Sequence, residues 1–233
     1  YGYNLEPGSK ELTALNYYTN EEITIPLDPT QTPGENAQRY FAKYNKQKRT
    51  FEALTELIQE TADDIQYLES ISNALDIALS EADLAQIKEE LMQSGYIRRK
   101  HTKKKVKLTS KPMHYISSDG YDMYVGKNNL QNEELTFSFA NGNDWWFHAK
   151  GAPGSHVIVK SGGDELPDCT FEEAGRLAAY YSKNRGADKV EIDYIQKKHV
   201  KKPNGAKPGF VVYYTNYSLV IDSDISNIKN VQD

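Results

Sequence analysis

The sequence predicts an α+β protein in two parts. The first is an N-terminal hairpin and coiled-coil helical arm; the second is a compact α/β module with a mostly antiparallel sheet and one main helix. Three observations carry this. Apolar residues recur every seven positions between Ala37 and Leu79. Beyond residue 112, short β-rich runs alternate with turns and a single helical stretch. The charge also changes sign along the chain. Residues 1–97 hold 7 Lys and Arg against 17 Asp and Glu, a net of −10, whereas residues 98–233 hold 21 against 16, a net of +5. Such a change marks a boundary between parts with different partners. The boundaries expected are 1–97 for the arm, 98–112 for a basic linker and 113–233 for the module. With 233 residues the chain is long enough for one ordinary core plus an extended element, or for two small domains.

The arm begins with extended chain at Leu12–Tyr18, a turn at Thr19–Glu22 and a second run at Ile23–Leu27, a hairpin pattern in which Pro26 suits an edge. Thr32, Pro33 and Glu35 then form a helix start: an N-cap, a proline at the first helical position and the acid of a capping box. The heptad positions that follow are Ala37, Tyr44, Phe51, Ile58, Ile65, Ser72 and Leu79, with Tyr40, Gln47, Leu54, Thr61, Leu68 and Leu75 as the second set. Their spacing predicts a coiled-coil helix of roughly 65–70 Å, whose stripe a lone helix cannot bury; a break in the helix, another domain or a second chain could cover it, which leaves self-association open. Ser80 and Asp83 form a second capping box before Leu84, Ile87 and Leu91, and Gly95 follows as a helix stop, so a shorter helix is expected to fold back. This arm reads either as a plain spacer or as a reach whose tip binds a partner.

The linker Arg98–Lys107 has seven Lys and Arg and no acid; it suits a solvated connector or phosphate neutralisation. In the module, His114–Ser118 and Tyr121–Val125 flank Asp119-Gly120 as a hairpin. Strands are expected at 144–150, 156–160, 190–200, 210–214 and 219–221. Thr170 is expected to cap a helix over Phe171–Lys183, ended by Gly186.

Composition excludes several classes. The 38% apolar content, with 17 Tyr and 7 Phe, permits a core and argues against long disorder. A single cysteine, Cys169, rules out an internal disulfide and a thiolate metal cluster, and reads as a small half-buried residue. No apolar run is long enough to insert into a membrane. Tyr1 is not an initiator Met and no signal-peptide pattern follows, which suggests a piece of a longer cytosolic protein. Ser155 and His156 are neighbours on a strand and so face opposite ways, unlike a nucleophile and its base. His148, His156, Asp144 and Asp164 match no metal spacing, and the 151–155 turn lacks the ending of a P-loop. Neither an enzyme nor a metal or other cofactor is expected.

Three segments could bind RNA. Lys127, Asn128 and Asn129 sit in a turn after a strand, which could equally be a plain turn. Trp145, Trp146 and Phe147 are consecutive aromatics flanked by His148 and Lys150, with His156 beyond the Gly/Pro turn. Side chains alternate on a strand, so at least one ring must leave the core face; an exposed ring could stack bases, whereas packing under the helix is the competing account. Lys197, Lys198, Lys201, Lys202 and Lys207 lie in a stretch free of acids between Asp193 and Asp222, stiffened by Pro203 and Pro208.

The segments Tyr124–Asn132, Asp144–His148, Pro153–Val157 and Lys201–Gly209 resemble the NFACT-R domain, and Glu22–Asp28 with Glu35–Phe41 looks like the middle region that precedes it. Together they span nearly the whole chain. The family includes RqcH-like and NEMF-like proteins and Gram-positive proteins called fibronectin-binding proteins. The resemblance implies a part of a ribosome-associated quality control factor. Such factors bind stalled large ribosomal subunits carrying peptidyl-tRNA, recruit alanyl-tRNA and support alanine tailing of the nascent chain. It implies a cytoplasmic protein, and as the alternative a fibronectin-binding adhesin at the cell surface. The family's N-terminal domains, which carry much of the tRNA selection, are absent from this sequence, so tailing by this chain alone is not expected.

Overall fold

The computed structural model describes residues 5–98 and 110–231. Of the basic linker, all but Arg98 and residues 110–112 therefore lies outside the described residues. Two compact units divide the chain, one reaching to Asp63 and the other beginning at Asp64.

In the first unit β1 (Glu11–Leu15) and β2 (Glu22–Pro26) form an antiparallel hairpin in which Glu11 faces Pro26 and Leu15 faces Glu22. Helix α1 (Pro33–Ile77) starts as its sequence signals require. The Thr32 N–H donates to Glu35 Oε2 at 2.8 Å, and the Glu35 N–H donates to Thr32 Oγ1 at 3.2 Å. Between them two orphan donors of the first turn are satisfied. Buried Asn36 ties this turn to the hairpin exit: its Oδ1 accepts the Asp28 N–H at 2.8 Å and its Nδ2 donates to the Asp28 carbonyl at 3.0 Å. Along this part of α1 the heptad residues Tyr44, Phe51, Leu54 and Ile58 are exposed.

The second unit holds the end of α1, helix α2 (Glu81–Gln93) and the whole sheet. The second capping box is present at Ser80 and Asp83, and Gly95, at φ +82°, turns the chain out of α2. α2 folds back on α1 as expected, but on a different stripe. Tyr67, Ile71 and Ala74 pack with Ile87, while the heptad positions Ile65, Leu68 and Leu75 stay exposed. The seven-residue period is kept and its phase is shifted, because the buried side is chosen by what packs there and not by which stripe is most apolar.

The sheet has seven strands in the order β8-β7-β5-β6-β4-β3-β9, and every neighbouring pair is antiparallel. They are β3 (Met113–Ile116), β4 (Asp122–Val125), β5 (Trp145–Ala149), β6 (Val157–Val159), β7 (Val190–Gln196), β8 (Tyr217–Ile221) and β9 (Lys229–Asn230). Between β4 and β5 the chain forms a short helix α3 (Asn129–Glu134) and one π turn, Leu135–Phe139, neither of which the sequence had suggested. The main helix α4 (Asp168–Tyr180) starts and stops three residues earlier than expected. Thr170 does not cap it; its hydroxyl donates to Asp119 Oδ2 at 2.8 Å in the β3–β4 turn. The helix ends where the Tyr181 carbonyl is taken by the Ser155 N–H at 2.9 Å. Cys169 lies in the first turn of α4, exposed rather than half-buried. Residual burial and the nearby Glu173 and Asp119 push its thiol pKa up, away from reactivity.

Both faces of the sheet are covered. On one, α4 packs Leu177 and Ala178 against Phe147, Val157 and Ile192. On the other, Trp146, Ile158 and Ile195 meet Leu135, Ala140, Val200 and, partly buried, Val211 and Tyr213. The expected strand 210–214 survives only as a single bridge between Lys201 and Val212, and β7 ends at Gln196 in a one-turn helix, Lys197–His199. Among the described residues no helix is long and apolar enough to cross a membrane.

Candidate nucleic-acid interface

The turn after β4 is committed to the helical pair. Lys127, only 12% exposed, bonds Asp83 at 3.3 Å. Asn128 caps α3 by accepting the Gln131 N–H, and its Nδ2 donates to Gln86 at 2.9 Å. Asn129 Nδ2 donates to Ser70 at 2.7 Å and to Glu90 Oε1 at 2.8 Å. Gln131 donates to Gln86 at 2.7 Å and to Ser110 at 2.8 Å, and Ser110 in turn bonds Asp83. Tyr67 completes the set with a 3.1 Å bond to Glu90, whose carboxyl is pushed up by burial against these donors. Lys127, Asn128 and Asn129 thus dock the ends of α1 and α2 onto the sheet, and they offer RNA no free cation or amide.

The consecutive aromatics alternate as the strand requires, yet no bare ring results. Trp145 is half-buried on the α4 side against Phe171, Tyr194 and Tyr217; Phe147 is fully buried there. Trp146 points to the other face and is fully buried too, with ring centroids of Tyr213 at 4.9 Å, His156 at 5.1 Å and His148 at 5.6 Å. One ring does leave the α4 face, as the alternation requires, but Trp146 is packed there because the irregular 200–213 segment covers the second face.

His148 and His156 line a cleft of about 190 Å³ with Asn129, Asn132, the Gly151–Gly154 turn and Phe210. Burial pushes His148 down to about 4, and His156 well below its ordinary value, the neighbouring His148 adding to the effect. His156 Nδ1 pairs with Thr136 Oγ1 at 2.8 Å and its N–H donates to Asn132 Oδ1 at 2.9 Å. It is a neutral staple, and its partner is Thr136 rather than Ser155. Among the described residues no group of three or more His, Cys, Asp or Glu is placed to hold a metal ion.

The lysines divide. Lys207 is docked: it bonds Asp64, lies 4.5 Å from the Tyr67 ring centroid and 2.9 Å from the Tyr96 hydroxyl. Burial depresses its ammonium, but the Asp64 and Tyr96 bonds outweigh it and the net shift is upward. Lys202 pairs with Glu133 at 2.7 Å, and Lys150 with Glu191. Lys197, Lys198 and Lys201 have no acidic partner among the described residues. Lys198 and Lys201 are exposed, with exposed His199 between them, and Lys197 stands 5.9 Å over the Phe137 ring. Sequence reasoning passed over what lies beside them. Phe139, 41% exposed, has Lys160 Nζ 4.7 Å from its centroid, and Tyr124 meets its edge at 4.7 Å. The Phe-Ser-Phe spacing at 137–139, next to Asn141-Gly142-Asn143, was the available signal.

Known proteins match along nearly the whole length. Residues 1–110 match the family described as NFACT N-terminal and middle domains, and residues 111–215 match the NFACT protein RNA binding domain. The chain is 46% identical to the Rqc2 homolog RqcH of Streptococcus pneumoniae over 218 residues, which is 93% of this chain and 39% of that protein. It is 41% identical to the Rqc2 homolog RqcH of Bacillus subtilis over 97% of this chain and 40% of that protein. The chain therefore spans about two-fifths of these relatives. The solved C-terminal part of the fibronectin/fibrinogen-binding protein of Streptococcus suis is 44% identical, with a TM-score of 0.77, covering 84% of this chain and 78% of that one.

Proposed function

The chain belongs to the NFACT family, and we propose that it forms the RNA-binding end of an RqcH-like factor of ribosome-associated quality control, binding rather than catalysing. The observation that carries this reading is the open run Lys197, Lys198 and Lys201, cations without acidic partners among the described residues, inside the segment matched to the RNA binding domain. Lysines without an acidic partner can release counterions from phosphates at no cost in broken ion pairs, and Lys198 and Lys201 are also exposed. Lys202 is a second-rank contributor, since phosphate must compete with Glu133. The whole factor would act in the cytoplasm on large ribosomal subunits carrying peptidyl-tRNA and support alanine tailing, this part supplying affinity.

The test is anisotropy of labelled tRNA and large-subunit rRNA fragments with the whole chain across a salt series. Exchanging Lys197, Lys198 and Lys201 for Glu should lower affinity at least tenfold and reduce the salt slope by about two. Unchanged affinity and slope would sink the proposal. A second reading draws on the Streptococcus suis relative, which is named for fibronectin and fibrinogen binding. Here it would rest on the β1–β2 hairpin, a two-stranded sheet to which an extended partner could add a strand. Absence of saturable binding of the whole chain to immobilised fibronectin removes it.

A further inference from the structure

We propose that Tyr124, Phe139 and Phe137 form a stacking strip for unpaired, single-stranded RNA bases, with Lys197 and Lys198 taking the flanking phosphates. The proposal rests on the RNA-binding reading and narrows it to one class of RNA and one set of rings.

The strip lies where the second face of the sheet loses its cover. Over β5, β6 and β7 that face is closed by Leu135, Ala140, Val200 and Tyr213. Toward β4 and β3 the cover thins, and Tyr124 and His114 are only half-buried. Their rings stack at 4.5 Å with planes 3° apart, and the edge contact of Tyr124 with Phe139 continues the row at 70°. Phe139 remains 41% exposed despite these neighbours, and Phe137, partly buried against the Trp146 cluster, lies under Lys197 at 5.9 Å.

The π turn sets this presentation. Asn128 pins the start of α3, and the Ala140 N–H closes the π turn on the Leu135 carbonyl at 2.9 Å. The wider turn carries Leu135 and Thr136 into the interior while leaving Phe139 outside. Single π turns recur at functional sites. Lys160 covers one face of the outer ring, with its Nζ 4.7 Å from the centroid, and fixes it there: the same Nζ donates to the Phe139 carbonyl at 3.3 Å and is held by buried Asp144, which leaves the opposite face for a base. With its charge answered by Asp144, Lys160 positions the ring and leaves the phosphate to others. Lys197 and Lys198 have no such partner, and the Lys198 N–H is anchored on the Gly142 carbonyl at 3.0 Å. Among the described residues the acids bonded to groups of the row are Asp122, on His114 at 2.7 Å, and Asp144, on Lys160.

A lone exposed phenylalanine means nothing. A row of aromatic rings on an antiparallel sheet, bordered by free lysines, fits a chain that is both π-faced and anionic. Bases in a duplex hide their faces in the stack, so only unpaired ones can use such a row.

The experiment uses the whole chain and a short fluorescein-labelled oligoribonucleotide, presented single-stranded or annealed to its complement. The expected result is at least tenfold tighter binding of the single strand. Phe139→Leu, which keeps the apolar volume and removes the ring face, should cut single-strand affinity about tenfold and leave duplex affinity unchanged, whereas Phe139→Tyr should bind like the parent. Equal affinity for the two forms, or an unaffected Phe139→Leu variant, would overturn the strip while leaving general RNA binding intact. Failure of the parent chain to bind either form would remove both.

Discussion

Lys127 and Lys198 sit in turns of the same module and meet opposite environments. Lys127 is almost enclosed and bonds Asp83, which also holds the N–H groups of Leu79 and Ser80 at 3.0 Å. Lys198 stands in solvent beside Lys197, His199 and Lys201, with no acid against it among the described residues. Opening a nearly buried ion pair to bind a phosphate would strand an enclosed carboxylate. A solvated lysine has no such debt. A basic residue therefore indicates a nucleic-acid contact only once its acid has been looked for, and Lys127, Lys202 and Lys207 all have one.

The sharpest way to separate the two turns is to damage the enclosed one. At Gly126 an added Cβ would lie 2.2 Å from Asn132 Oδ1 and 3.0 Å from the Asn132 backbone nitrogen. Asn132 cannot move aside cheaply, because that same Oδ1 accepts the His156 N–H. Gly126→Ala should therefore cost about 3 kcal/mol in urea unfolding, at the upper end of overpacking effects. At temperatures where the variant stays folded, its RNA affinity should match the parent. A large loss of affinity in a fully folded variant would show that the enclosed turn also takes part in binding.

Acid offers a milder probe of the same region. His148 and His156 have pKa values below their unfolded value near 6.5, so the unfolded chain binds more protons in the interval beneath it. Their contribution to stability is whole above about pH 6.5 and is lost as the pH falls toward about 4. Glu90, pushed upward by burial, works with the opposite sign and softens the loss. A drop of order 1–3 kcal/mol between pH 7 and 5 is expected. His156→Gln should flatten this drop in a series of thermal melts, and a profile unchanged by the substitution would mean that another group titrates.

Local chemistry was readable in the sequence and distant chemistry was not. The two capping boxes, the stop at Gly95, the hairpins and the strands around 145–149 and 157–159 depend on neighbours within a few residues, and all are present. The burial of Asn129 depends on Ser70 and Glu90, 59 and 39 residues away. The face of α1 that packs was likewise set by α2, against the phase of the apolar heptads. Alternation along Trp145–Phe147 was legible, but the cover on the second face was not, since the 200–213 segment has almost no regular structure and so no period. Phe139 escaped notice for the same reason: a π turn leaves no repeat to read.

The open turn should respond in the reverse sense to the enclosed one. Lys198 is exposed, touches no acid, and its backbone bond to Gly142 does not depend on its side chain. Lys198→Glu should therefore change unfolding stability by no more than about 0.5 kcal/mol. RNA affinity at low salt should nevertheless fall several-fold, and the gap between variant and parent should narrow as salt rises, because an exposed charge acts through screened attraction. Titrating both proteins with the same RNA at low and high salt, beside their urea curves, makes the contrast with Gly126→Ala complete. If Lys198→Glu lost stability as well, the free environment assigned to this turn would be wrong. If affinity fell equally at all salt concentrations, the contact would be a specific hydrogen bond and not a counterion exchange.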